Sequence, residues 1–499
     1  MKYKNLKLIY TFLLFVFFLI PTYSQNINDL EGLKLISSKS LMKTVKFLSS
    51  NELKGRLPGN EGFNKAAKYM TDKFKSYNIK PFSDSGYYQN LFIEYNWISA
   101  PCKLNLIENK KAVKEYKIGK DFVCRGFTGS GHITKSVVFC GYGISRPDIG
   151  YDDYKGIDVR DKIVMVFKPV PIWKVNDSVW GEISIRKKVE YAFQHGAVGI
   201  LFVSLPNDKK PQKTIGSVMH GEGVQHENFP QMHISLPVAD EFFINTNKSL
   251  KVIQKIIDST KMPYSFSLNK IIEMEVNAEY KKEQPTMNIV GIIEGSDPQL
   301  KNEYLIIGAH LDHVGKQADE ILFPGANDNA SGSAAVLEIA KVYAQNKIKT
   351  KRSIIFVLFT GEEQGMVGSE FFVNHLPVPV EKVIAMFNLD CIAYGDSIQI
   401  GNGKSSPKLW YLAKQTDSLY TKMMVEQTWG GGGADATPFH KKSIPCLYFV
   451  TTNSYEHLHY MTDTYRTLNT VLFEKITKLA YLVSLQVANG YYNKEIVLQ

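Results

Sequence analysis

From Met287 onward the chain alternates between short apolar runs and amphipathic runs, and three of the apolar runs stop at a histidine or an acid. The strand-like runs are Asn288–Ile293, Tyr304–Ala309, Ser353–Phe359 and Lys382–Leu389. The helical runs are Ser331–Gln345, Ser406–Gln415 and Leu468–Val487. Alternation of this kind predicts an α/β class: a three-layer α/β/α sandwich with a mixed, mostly parallel sheet between helices. Ligands of such sheets bind just beyond the carboxyl ends of the strands, so the residues that follow each run carry the functional information.

Those residues form a set. Tyr304–Ala309 is followed by His310-Leu311-Asp312-His313, and a loop from Pro324 through Asp328 to Gly332 leads into a helix. Ser353–Phe359 is followed by Thr360-Gly361-Glu362-Glu363, and Lys382–Leu389 by Asp390. Near the C-terminus stands His457-Leu458-His459-Tyr460-Met461-Thr462-Asp463-Thr464. Taken singly, each is ordinary: an Asp before a helix is usually an N-cap, and paired glutamates are usually a solvated loop. Together they supply imidazole and carboxylate with no competing thiolate, a ligand set suited to zinc, and a carboxylate can bridge two divalent ions. The adjacent Glu362 and Glu363 suit a division of labour in which one ligates metal and the other moves a proton.

At these residues the chain resembles the dizinc aminopeptidase family, which includes secreted bacterial leucine-type aminopeptidases and, more distantly, glutamate carboxypeptidase. The matching stretches are Gly308 to Asp312, Pro324 to Gly332, Thr360 to Glu363, Asn388 to Asp390 and His459 to Thr464. The resemblance implies two zinc ions, His310 and Asp390 holding one, Glu363 and His459 the other, and Asp328 bridging. It implies Glu362 as the general base toward metal-activated water, Asp312 as the partner that orients His310, and a cis bond at Asp328–Asn329. The implied substrates are peptides, cleaved at the N-terminus; carboxypeptidase or dipeptidase action on the same metals is the alternative, and a non-catalytic binding relative a remoter one. Family members commonly place a tyrosine before the last ligand histidine, where this chain has Leu458. That leaves Tyr455, His457 or the metals to steady the oxyanion.

The texture differs between residues 110 and 275. β-branched runs at Val137–Phe139, Ile163–Phe167 and Gly199–Val203 lie between Gly, Pro and Asp turns, with one helix near Arg186–His195. Val137 to Ile144, Tyr151 to Tyr154, Gly156 to Val159 and His195 to Ile200 resemble the protease-associated domain, inserted in many members of that peptidase family. The expected division is therefore a leader over 1–24, an N-terminal part of the peptidase domain over 25–109, the insert over 110–275, and the zinc peptidase domain over 276–499.

Composition narrows the class further. The formal charge of +10 includes three lysines of the leader, and the other basic residues are scattered rather than striped with aromatics, which argues against nucleic-acid binding. Five cysteines at irregular spacing exclude a disulfide framework and a thiolate zinc site. Lys2, Lys4 and Lys7, the apolar run Leu8–Ile20 and Thr22-Tyr23-Ser24 have the layout of a secretory leader. The run is shorter than a spanning helix needs, so an exported protein, periplasmic or secreted, with no lasting membrane anchor is expected. Mass spectrometry of the exported protein should find a mature chain beginning at Gln25; retention of Met1 would contradict the leader.

Overall fold

The computed structural model describes residues 27–82, 86–176, 178–181, 183–221, 223–345 and 349–499, so the expected leader lies outside the described residues. Twelve strands define the architecture: β1 (Tyr88–Glu108), β2 (Phe122–Cys124), β3 (Gly131–Cys140), β4 (Ile163–Phe167), β5 (Gly199–Val203), β6 (Gln231–Ile234), β7 (Ser265–Ile293), β8 (Tyr304–His310), β9 (Ser353–Phe359), β10 (Val383–Leu389), β11 (Ile398–Gly401) and β12 (Cys446–Thr451). They run in one sheet in the order β11-β12-β10-β8-β9-β7-β3-β4-β5-β6-β2, with β1 against β7. β9, β8, β10 and β12 are mutually parallel, while β11 and β7 flank them antiparallel. The expected mixed, mostly parallel sheet is therefore the observed one.

The period of two along a strand builds the layers. Leu305, Ile307 and Ala309 join one apolar cluster with α1 (Ser38–Leu48), α2 (Glu61–Ser76), α3 (Gly332–Gln345), α4 (Pro407–Tyr420) and α5 (Thr470–Ala488). Ile306, Ile355 and Val357 face the other way, onto Phe372, Val373 and Phe439. Both faces are covered, which is why these strands read as unbroken apolar runs. Local chemistry starts the helices on time: Ser37 accepts from Ser40 N–H at 3.3 Å to open α1, and Asn60 accepts from Phe63 N–H at 2.8 Å to open α2. Leu41, Val45 and Leu48 then share the buried stripe of α1, each worth about 1.5–3 kcal/mol of transfer free energy.

A second apolar core gathers residues from Ile98 to Val276, including Val137, Ile163, Val164, Ile200 and Leu201. The thiols of Cys102 and Cys124 meet in it. β1 and β7, 21 and 29 residues long, run antiparallel from one core into the other. The boundary drawn at 275/276 falls inside β7, which carries Met274 into the second core and Ile289 into the first. Because two continuous strands tie the cores together, calorimetry of the metal-loaded protein should show one cooperative transition. Two well-separated transitions would contradict that coupling.

Candidate metal centre

The strand ends deliver the acids and imidazoles to one place. His310 closes β8, and its Nε2 lies 3.3 Å from Asp328 Oδ1, 3.5 Å from Asp390 Oδ1 and 3.9 Å from Glu362 Oε2. On the far side of Asp328, Oδ2 lies 3.3 Å from His459 Nε2 and 3.6 Å from His313 Nδ1. Glu363 reaches both of those rings, at 2.7 Å from His459 Nε2 and 2.7 Å from His313 Nδ1. The result is two imidazole–carboxylate groups that share Asp328. All of these residues except His459 and Glu362 are almost wholly buried.

Backbone geometry sets up each ligand. The bond Asp328–Asn329 is cis, as the resemblance implies. His459 holds φ at +57° and Cys391, next to Asp390, at +54°, left-handed conformations that side-chain-bearing residues adopt rarely and mainly at constrained sites. Asp463 accepts from the N–H groups of Asn327 at 2.9 Å and Asp328 at 3.0 Å, which ties the bridging loop to the loop of His459. Burial pushes the Asp463 carboxyl up to about 7 despite those donors.

Arg56, which in sequence looks like part of a turn, is a buried hub. Its guanidinium donates to the carbonyls of Leu48, Leu311, Pro324 and Gly325, gripping the loops on either side of His313 and Asp328. Burial pulls it down to about 10, opposed by the acids of the site, so it stays charged at neutral pH. His313 was also without an assigned role, although it stands within the His310-Leu311-Asp312-His313 run. Its Nδ1 faces Glu363, and its Nε2 is buried without a partner among the described residues.

Asp312 approaches His310 with both its carbonyl and its carboxylate. His310 Nδ1 lies 3.2 Å from the backbone carbonyl of Asp312 and 3.7 Å from its carboxylate, so the carbonyl is the better acceptor and turns Nε2 toward the acids. The Asp312 carboxylate instead accepts from the N–H groups of Glu362 and Glu363, at 3.3 Å each. It therefore fixes the turn that presents both glutamates. Leu458 packs beside Cys391, Tyr448 and Val450, and His457 turns outward, its Nδ1 2.8 Å from Thr462 Oγ1. Two phenols stand at the site: Tyr448 donates to Asp390 Oδ2 at 3.0 Å, and the Tyr455 hydroxyl lies 3.1 Å from that of Tyr448.

The donors fit a metal. Oδ1 of Asp390 is buried with no hydrogen-bond partner, and it faces the same point as His310 Nε2 and Asp328 Oδ1. Asp328 is held well below the usual carboxylate range: burial would raise it, but His310, His313 and His459 together outweigh burial. Glu362 goes the other way, well above the usual range, through burial first and then the nearby acids Asp435, Glu363 and Asp390.

The profile of peptidase family M28 matches residues 288–484. The "Probable leucine aminopeptidase" of Arthroderma otae is 31% identical over 313 residues, spanning 61% of this chain and 81% of that protein. This chain belongs to peptidase family M28. Transferrin receptor protein 2 of Homo sapiens is 26% identical over 417 residues, covering 72% of this chain but only 49% of the receptor. Among solved structures, the aminopeptidase from Aneurinibacillus sp. strain AM-1 shares the fold, with a TM-score of 0.64 over 94% of this chain and 98% of that one at 20% identity.

Within this M28 chain, Arg56 should matter without touching a ligand. Arg56→Met leaves four buried carbonyls without their donor, and urea melts should show a loss on the order of 3 kcal/mol or more. A loss under about 1 kcal/mol would show that water replaces it.

Proposed function

We propose that this chain is an exported exopeptidase carrying two zinc ions and that it removes N-terminal residues from peptides. The observation that carries the reading is Asp328: its two oxygens face different imidazole–carboxylate groups, while Glu362 stands outside both. His310 and Asp390 would hold one zinc and Glu363 and His459 the other, with Asp328 shared and His313 orienting Glu363 through Oε1. Zinc bound there would polarise the scissile carbonyl and acidify an attacking water.

The chain's own groups do the rest. Glu362, with Oε2 directed toward His310 and its side chain 18% exposed, reaches the reacting water and accepts its proton. A carboxyl held above its usual range is suited to return that proton to the leaving amine. Asp312 keeps Glu362 in place through the backbone. The Tyr455 hydroxyl, linked to Asp390 through Tyr448, is the donor for the oxyanion that Leu458 cannot be.

Cleavage at the amino end is supported by the names of the relatives, and export by the leader-like first residues. We read residues 110–275 as a protease-associated module that walls the site. Its segment 211–220 supports this, because Gly216 N–H donates to the His459 carbonyl at 2.9 Å and His220 stands beside Gly365. A cavity of about 340 Å³ there, lined by Phe92, Glu94, His220 and Gln364, is the candidate entrance for the peptide.

Glu362→Gln should keep the bound zinc while kcat falls by several orders of magnitude; retained activity would remove Glu362 from the mechanism. Tyr455→Phe should lower kcat on the order of 10²-fold with KM little changed. Acetyl-blocked peptides should resist cleavage and C-terminally amidated ones should not, and the reverse pattern would assign a carboxypeptidase.

A further inference from the structure

Among the described residues, most buried cations are held by carbonyls or carboxylates. Arg56 is saturated by four carbonyls, Lys188 by the carbonyls of Phe167, Lys168 and Pro169, and Arg352 by Glu303 and two carbonyls. Arg186 pairs with Glu94 and with the carbonyls of Gly221 and Gly223, its Nε alone left without a partner. One group in the second core breaks this pattern. Arg125 is 5% exposed, Lys168 9% and His233 0%, and among the described residues neither Arg125 nor Lys168 has an acidic partner.

Their placement follows from the sheet. Arg125, just past β2, lies opposite Gln231 at the start of β6, to whose carbonyl its backbone N–H donates. His233 is two residues further along β6, so its side chain shares the Gln231 face. Lys168 follows β4, donates its backbone N–H to Val203 at the end of β5, and so stands next to Ser204, whose hydroxyl lies 3.1 Å from His233 Nε2. Nε and Nη1 of Arg125 and Nδ1 of His233 are buried without a hydrogen-bond partner. Burial pulls Arg125 down to about 10; burial and then Arg125 pull Lys168 down to about 6. His233 lies within the field of both. Buried donors without acceptors are rare, and a buried charge without a counter-charge is costly.

We propose that Arg125, Lys168 and His233 form a site for a small anion of halide size, whose binding stiffens the segment 211–220. Nε and Nη1 of Arg125 lie on different edges of the guanidinium and make no parallel fork for a carboxylate, so a single-atom anion held by one of them together with Lys168 and His233 fits the donors better. The segment is tied to the site on one side, by Lys168 Nζ to Gln212 Oε1 at 2.5 Å and Gly126 N–H to Ser217 Oγ at 2.8 Å. On the other side it reaches the catalytic loop, where Lys213 N–H donates to the Tyr460 hydroxyl at 3.2 Å and Gly216 N–H to the His459 carbonyl. Filling the site therefore braces the backbone of His459. This coupling rests on the peptidase reading, whereas the anion site itself does not.

Bromide is the probe. Crystals of the full chain soaked in sodium bromide should give an anomalous peak within contact of Arg125 and His233. Thermal melts of the zinc-loaded protein should show a saturable rise of about 2–4 °C with bromide or chloride over gluconate at equal ionic strength. Arg125→Met and Lys168→Met should each abolish that rise, so a folding failure of one leaves the other to decide. No peak, equal melts in halide and gluconate, or a peak whose removal by either variant leaves the melts unchanged would overturn the site. Halide should also raise kcat/KM severalfold on a cleaved peptide; a halide-dependent melt with unchanged kcat/KM would overturn the coupling. Absence of any peptide cleavage would count against the peptidase reading and leave the bromide peak to judge the site.

Discussion

Four buried or nearly buried carboxylates and three imidazoles crowd around Asp328, and the rest of the molecule is arranged so that this crowd can exist. Like charges so close in a medium of low polarity repel strongly unless cations or donors are interleaved with them. The histidines do part of this, and the combined pull of His310, His313 and His459 reverses the effect of burial on Asp328. The two-sided geometry of Asp328 leaves the remaining attraction to metal, toward which the unpaired oxygen of Asp390 is aimed.

Support for the cage comes mainly from backbone. Arg56 spends its guanidinium on four carbonyls rather than on an acid, so it adds positive field while fixing the loops that carry the ligands. Asp463 and Asp312 do the converse, accepting backbone N–H groups from the bridging loop and from the Glu362–Glu363 turn. The metal residues are thus positioned by strand ends and then locked by charged side chains that bond to main chain. The segment 211–220 joins the same network through Gly216 and the carbonyl of His459.

Much of this was legible in the sequence, for a physical reason. β8, β9 and β10 are buried on both faces, so they read as continuous apolar runs, and the residues after them announce themselves. The antiparallel pair of β1 and β7 was illegible beyond Asn288–Ile293, because it runs between two cores and carries the exposed Lys281, Lys282 and Glu283 where it does so. Arg56 read as a turn residue since its acceptors come from loops distant in sequence. The carboxylate of Asp312 could be placed near His310 by spacing, but the choice between its carbonyl and its side chain depends on the loop conformation. Tyr455, four positions before His459, connects to Asp390 only through Tyr448, a contact between loop and strand that spacing does not reveal.

The central claim is that Asp328 stands between two metal ions. Anomalous diffraction at the zinc edge, on crystals of the zinc-loaded chain, tests it most directly. The account predicts two peaks about 3.5–4 Å apart, one against His310 and Asp390, the other against Glu363 and His459, with one oxygen of Asp328 on each. A single peak at full occupancy, or a second peak away from Asp328, would contradict it.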